Sequence, residues 1–361
     1  MCEGKGGGST FVQTDSIAGA ILGCALGDAI GLPYEGLSKR RGVRLLGEPD
    51  RLRFIFQRGM VSDDTEHTCM VAQSLCECPH DANLFARCLA RRLRWWLLGL
   101  PAGIGFATLR AILKLWFGFS PQRSGVFSAG NGPAMRSAVL GAAIDDLATL
   151  ERFVRASTVI THSDPKAYHG AFAVALAAWC AKRGLDSRDG FFGQYHSLPE
   201  YIPSDEFRAL MLRIEQSLAS GATTEAFAEE IGCARGVSGY IYRTVPIALH
   251  CWLAHPREFR RAVSAVIRCG GDTDTTGAIV GAIVGSAVGR AGIPGDWLPR
   301  LWEWPRSVAW MEQLADATGR AVSSATPISP PRLFPAIGIL RNAIFLAIVL
   351  AHAIRRLLPP Y

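Results

Sequence analysis

The sequence predicts an all-α fold, a compact orthogonal array of helices, on three observations. Apolar residues recur at helical spacing through runs such as 83–98, 147–159, 170–181 and 207–218. Strand alternation and hairpin signals are missing, and Pro and Gly punctuate short loops. Two stretches carry glycine at every fourth position: Gly19, Gly23, Gly27 and Gly31, then Gly277, Gly281, Gly285 and Gly289. Glycine inside a helix costs about 1 kcal/mol relative to alanine, so close backbone packing has to offset it. Both helices are expected at the domain centre, against each other, with four-residue ridges that suit a steep crossing. A membrane-type small-residue stripe is the alternative, but each stretch is too short to span and is bounded by polar or acidic residues.

The elements then follow in chain order. Residues 1–15 begin Met1-Cys2-Glu3-Gly4-Lys5-Gly6, glycine-rich and polar, and read as a flexible arm without a signal peptide. Residues 16–320 read as one domain, and 321–332, rich in Ser, Thr and Pro, as a linker. Residues 333–361 read as an apolar helix: 343–351 is uninterrupted, Arg341, Asn342 and His352 break it, and Arg355 and Arg356 follow. Its length is borderline for a span, so it can dock on the core, dip into a membrane interface or act as a tail anchor. A cytoplasmic monomer is expected, with the inner membrane face as a further location.

Composition bounds the rest. The chain has 361 residues, 49% of them hydrophobic and 19% charged, which supports a large core and excludes a disordered protein. Ten cysteines without a secretion signal imply reduced cytosolic thiols. Cys76, Cys78 and His80 resemble half a zinc site, but no second pair follows at zinc-finger spacing, and ordinary thiols are expected. The formal charge is +7, with arginines grouped at Arg40, Arg41, Arg44, Arg51, Arg53 and Arg58 and at Arg91, Arg92 and Arg94. Solvated faces explain them, or a basic rim that attracts an anionic substrate such as a nucleotide. No nucleic-acid partner is expected.

Two short acidic segments carry the chemistry: Ser62-Asp63-Asp64-Thr65, and Gly270-Gly271-Asp272-Thr273-Asp274-Thr275. Each doubles a carboxylate and precedes a helix-like run. A single Asp or Ser there would be an N-cap. Two doubled instances instead suggest carboxylates that repel one another unless cations sit between them. Carboxylates and hydroxyls without Cys or His suit hard divalent cations, Mg²⁺ or Mn²⁺, and four acids suit two of them. Gly130-Asn131-Gly132-Pro133 before Ala134-Met135-Arg136 reads as a phosphate cradle at a helix start. Thr161-His162-Ser163-Asp164-Pro165 is another helix start, where His162 contacts a ligand or packs in the loop. Tyr240, after Gly239, stacks on a base or joins the core.

In this order the segments, together with 23–31 and Pro33-Tyr34-Glu35, resemble the ADP-ribosylglycohydrolases over roughly residues 16–290. The resemblance implies a binuclear Mg²⁺ or Mn²⁺ centre that hydrolyses an N- or O-glycosidic bond to ADP-ribose on a modified protein or a small conjugate. It implies Ser62, Asp63, Asp64, Asp272, Asp274 and Thr275 as ligands, with Asp28 structural behind them. Asp63, Asp64, Asp274 and Glu35 would be catalytic, Glu35 or a metal-bound water handling the leaving-group proton. Gly130, Asn131, Gly132, His162 and Tyr240 would line the substrate pocket. Some arginine-directed members carry an acid just before the glycine loop, whereas this chain has Gly125-Val126-Phe127-Ser128-Ala129. Arginine, serine, nucleic-acid and O-acyl linkages all stay open. A silent ADP-ribose-binding relative and a metal-dependent nucleotide phosphoesterase are the competing readings.

Overall fold

The computed structural model describes residues 6–357, whose regular structure is helical; among them only isolated β-bridges occur, and no sheet. Eight helices frame the site: α1 (Gly6–Gly31), α2 (Asp63–Glu77), α3 (Ala82–Leu98), α4 (Pro165–Lys182), α5 (Ile241–Ala254), α6 (Thr273–Val288), α7 (Val308–Ser324) and α8 (Pro335–Arg356). Helix α1 begins at Gly6, inside the segment expected as an arm, while residues 1–5 lie outside the described residues. Helix α7 runs to Ser324, so the non-helical linker starts later than residue 321.

The two glycine-rich helices do meet at the centre. A Cβ on Gly19, Gly23 or Gly27 would fall within about 2 Å of the carbonyl oxygens of Gly285, Gly281 and Gly277 respectively. Partners that fall in sequence as the other rises mean antiparallel helices. The contact runs along more than three turns, from Gly19 to Gly31, which meets the Thr273 carbonyl. The steep crossing expected from the spacing is therefore wrong. Helices that crossed steeply would diverge within a turn or two of the contact, whereas glycine on both ridges lets these backbones touch throughout. Helix α1 is long and apolar enough for a span, yet its apolar stretch is wholly buried, and α4 is buried on every side over Ala167–Ala181. Both are core helices.

Helix α8 packs back on the domain. Arg341 donates to both Glu303 carboxylate oxygens, at 3.0 and 2.6 Å, and to the Val61 carbonyl. Asn342 Nδ2 donates to the Gly99 carbonyl at 2.7 Å, and the His352 ring stacks on Phe54 with centroids 5.0 Å apart. Arg356 Nη2 donates to the Pro33 carbonyl at 3.0 Å.

Candidate active site

The acidic residues converge because two helix starts are brought together by α1. Ser62 caps α2: its backbone is extended and its hydroxyl accepts from the Asp64 amide, with Asp63, Asp64 and Glu66 in the first turn. Acids in a first turn are favoured by the helix dipole. Asp28, fully buried on α1, accepts from the Ser62 amide (2.9 Å), the Thr65 amide (3.2 Å) and the Thr65 hydroxyl (2.5 Å). It clamps the turn from behind, the position expected of it. Burial pushes the Asp28 carboxyl up to about 7, against the hydrogen bonds from Thr65 and Ser62.

The second acidic segment arrives through a tight glycine turn. Gly270 and Gly271 adopt φ of 72° and 81°, a region that favours glycine. A Cβ on Gly271 would lie 2.1 Å from the Val237 carbonyl. Asp272 then precedes α6, its Oδ2 accepting from Asn131 Nδ2 at 2.7 Å. Thr275 on α6 donates its hydroxyl to Asp64 Oδ2 at 3.3 Å, which joins the two segments directly.

The electrostatics are uncompensated. Asp63, Asp64 and Asp274 all have carboxyls pushed well above the ordinary range. Desolvation is the largest cause in each case. Asp28 adds to it for Asp63 and Asp64, and Glu35 for Asp274. Asp64 Oδ1 is buried with no hydrogen-bond partner. An orphaned carboxylate oxygen among mutually repelling acids and hydroxyls fits a hard divalent cation. Among the described residues no three Asp, Glu, His or Cys side chains are already drawn into one metal-holding group. The donors would be Ser62, Asp63, Asp64, Asp272, Asp274 and Thr275.

Around the acids stand the other residues. Glu35 is exposed at the rim, closing a short 3₁₀ turn at Leu32–Tyr34. Desolvation and then Asp272 raise its carboxyl, opposed by Arg356. The glycine loop packs against Tyr240 and Gly239, and the Asn131 amide donates to the Gly239 carbonyl at 3.0 Å. His162 lies beneath this loop: a Cβ on Gly130 or Gly132 would come within 3.0 or 3.1 Å of its ring. Burial, with Arg136 nearby, lowers the His162 imidazole to about 3, so it is neutral. The loop leads into a 3₁₀ turn at Ala134–Arg136, not directly into an α-helix. The Ala134 and Met135 amides, which a phosphate cradle would use, both donate to the Asn131 carbonyl. Tyr240 is half-buried, its hydroxyl accepting from Lys166 Nζ at 3.0 Å.

Elsewhere, Cys76 Sγ contacts the Thr318 hydroxyl and Cys78 Sγ faces Cys88 Sγ, while His80 is exposed. The three do not converge. A cleft of about 750 Å³, lined in part by Ser187, Thr224, His255 and Arg268, holds none of the acids above.

Two residues near the site were missed by sequence reasoning. Arg136 is fully buried, held by Ser157, Thr161 and His67, and close enough to Asp63 to feel its charge. Arg356 reaches the rim from the far end of the chain. The only signal for Arg136 was its place just after the glycine loop; nothing local marks Arg356.

Comparison with known proteins follows this geometry. The family model for ADP-ribosylglycohydrolase matches residues 10–327. A protein of Archaeoglobus fulgidus is 32% identical over 302 residues, covering 82% of this chain and 93% of the relative. ADP-ribosylhydrolase ARH3 of Gallus gallus is 28% identical, covering 77% and 87%. The ADP-ribosyl-dinitrogen reductase glycohydrolase of Rhodospirillum rubrum is 26% identical, covering 80% and 90%. A solved structure described as an ADP-ribosylglycohydrolase-related protein complex aligns with TM-score 0.58 and 27% identity over 86% of this chain and 99% of its own. With the helical fold and both acidic helix starts in place, the chain belongs to the ADP-ribosylglycohydrolase family, a family of glycosidic-bond hydrolases.

Proposed function

We propose that this chain is a divalent-metal-dependent hydrolase that releases ADP-ribose from a protein side chain, through arginine or serine, or from a small ADP-ribosyl conjugate. The observation that carries the reading is the orphaned Asp64 Oδ1 amid three acids held above their ordinary range. A silent binding protein gains nothing from such repulsion. Two Mg²⁺ or Mn²⁺ ions held there would neutralise the acids, engage the ribose hydroxyls and activate the attacking water.

The chain's own residues do the rest. Asp28 and the Asn131 amide aim the two acidic turns at a common point. The Gly130–Gly132 loop packs its bare glycines against neutral His162 and is tied to Asp272 through Asn131, so it borders the acidic centre where a diphosphate or ribose would approach. Glu35, at the rim with a carboxyl raised by burial and by Asp272, is the chain's own candidate to pass a proton to the leaving oxygen or nitrogen.

The test is incubation with ADP-ribosyl-serine and ADP-ribosyl-arginine peptides in Mg²⁺, Mn²⁺ or chelator. Free ADP-ribose, metal-dependent and from one peptide, is the expected result and names the linkage. AMP or phosphate as product would establish the phosphoesterase instead. Bound metal with no turnover on any conjugate would leave a binding protein.

A further inference from the structure

Helix α8 is apolar on its outer side as well as on its inner one, where Phe345, Ile348 and Val349 pack with Leu32, Phe54 and Met60. At roughly 100° per residue, Arg341, Phe345, His352 and Arg356 fall on one side, and Leu340, Leu346, Leu350, Ile354 and Leu357 on the other. The first side is the one bonded to the domain. The second faces outward with only alanines between the aliphatic side chains, and Leu340, Ile354 and Leu357 are 60%, 63% and 74% exposed. Surface helices of globular proteins present a charged or polar outer face, and an exposed apolar face of this extent marks an interaction surface. The family match ends at residue 327, before this helix begins.

We propose that α8 lies in the plane of an anionic lipid surface, its outer face among the acyl chains, and holds the catalytic domain there. A spanning orientation does not fit, because Arg341 and Asn342 are tied to Glu303, Val61 and Gly99 of the domain. The ends of the helix are cationic. Arg332 precedes it, Arg355 closes it, and Arg41 of the helix Lys39–Leu46, with Arg40 and Arg44 beside it in sequence, donates to the Arg356 carbonyl. Such basic flanks complement anionic headgroups. These aliphatic side chains span about a third of the helix circumference, wider than the narrow seam through which two helices pair.

The surroundings agree. A cavity of about 680 Å³ at the start of α8 has Trp95, Leu98, Phe334 and Ile339 in its wall, with Arg91 and Arg92 beside them. The apolar side chains of this wall continue the outer face of α8, while Arg91 and Arg92 are paired with Glu77 in the same lining. Phe56 and Leu100, 90% and 74% exposed, protrude from the two loops that α8 grips at Phe54 and Gly99. The second loop continues to Gly103, whose Cβ would lie 3.9 Å from Asp63 Oδ1. The lipid face and the rim of the acidic site are therefore neighbours.

The experiment is sedimentation of the full chain with vesicles of phosphatidylcholine alone, or with roughly a third phosphatidylserine. Binding to the anionic vesicles is expected. The triple variant Leu346→Gln/Leu350→Gln/Ile354→Gln should lower partition about a hundredfold while melting temperature and ADP-ribose release stay unchanged. Should the triple variant fail to fold, Ile354→Gln alone, with a drop of about fivefold, carries the same reading. Four results would overturn the proposal: no binding to either vesicle, undiminished binding by the variants, a dimer in solution that the variants dissociate, or resistance to alkaline extraction, which would mean that α8 spans.

Discussion

Helix α2 carries carboxylates in two opposite conditions, one turn apart. Asp63 and Asp64 face other acids, and Asp64 Oδ1 has no partner. Glu66 meets Arg306 at 2.6 Å and the Trp96 indole, and Arg341 is close behind. Burial opposes charge at all three. At Glu66 the arginines outweigh it and hold the carboxyl below its usual range, whereas at the aspartates nothing does. The protein thus has the means to neutralise a buried acid and withholds them on one face of the helix. Compensation from within closes a structure; its absence is what the proposed cations would supply from outside.

That contrast can be broken at either end. The largest effect is expected from Asp64→Asn: ADP-ribose release should fall on the order of a thousandfold, while the metal-free variant melts no lower than the parent, because a repelling charge is removed. A melting point several degrees lower, or activity within tenfold, would place Asp64 with the structural acids. Glu66→Gln should do the opposite. It strands Arg306 in the interior at a cost of about 3–5 kcal/mol, read by urea unfolding, while turnover of the folded fraction stays within a few-fold.

A third condition, neutrality, gives the smallest effect. His250 is buried between the Ser217 and Thr224 hydroxyls, and burial lowers it to about 4 from its ordinary 6.5. The unfolded chain takes up this proton as pH falls through 6.5, and the native chain only near 4. The stabilisation is therefore complete above 6.5 and lost on the way down to 4, at about 1.4 kcal/mol per pH unit. In metal-saturated protein, His250→Gln should flatten the stability profile by that slope between pH 6.5 and 4.5. An unchanged slope would mean that the histidine titrates normally.

What could be read in the sequence was whatever repeats or clusters locally. The glycine spacing disclosed the central pair, and the doubled aspartates disclosed both acidic turns, because each signal lies within a few residues. The crossing geometry did not follow, since a ridge on one helix says nothing of whether its partner's ridge is equally bare. Residues that act over long sequence separation were invisible: Arg341 with Glu303, Arg356 at Pro33, and Arg136 under the site. His162 was singled out, but its place beneath the glycine loop depends on a fold that brings 130 and 162 together. In α8 the interrupting Arg341, Asn342 and His352 looked like flaws in an apolar run and are its attachment points.

The glycine contacts of α1 and α6 leave one coordinate undefined. Because both ridges repeat every four residues, a slide of one repeat, about 6 Å, would re-form most of the same backbone contacts. Such a pair works like a ratchet with identical teeth: it sets how far apart the helices stand, not where along each other they stop. The stop has to come from features that occur once. At one end Asp15 accepts from the Arg290 amide at 2.9 Å, and at the other the Thr273 hydroxyl donates to the Gly31 carbonyl at 2.9 Å. Helix α1 carries the clamp for Asp63 and Asp64, and α6 carries Asp274, so one tooth of slippage would separate the two halves of the site by more than a cation can bridge.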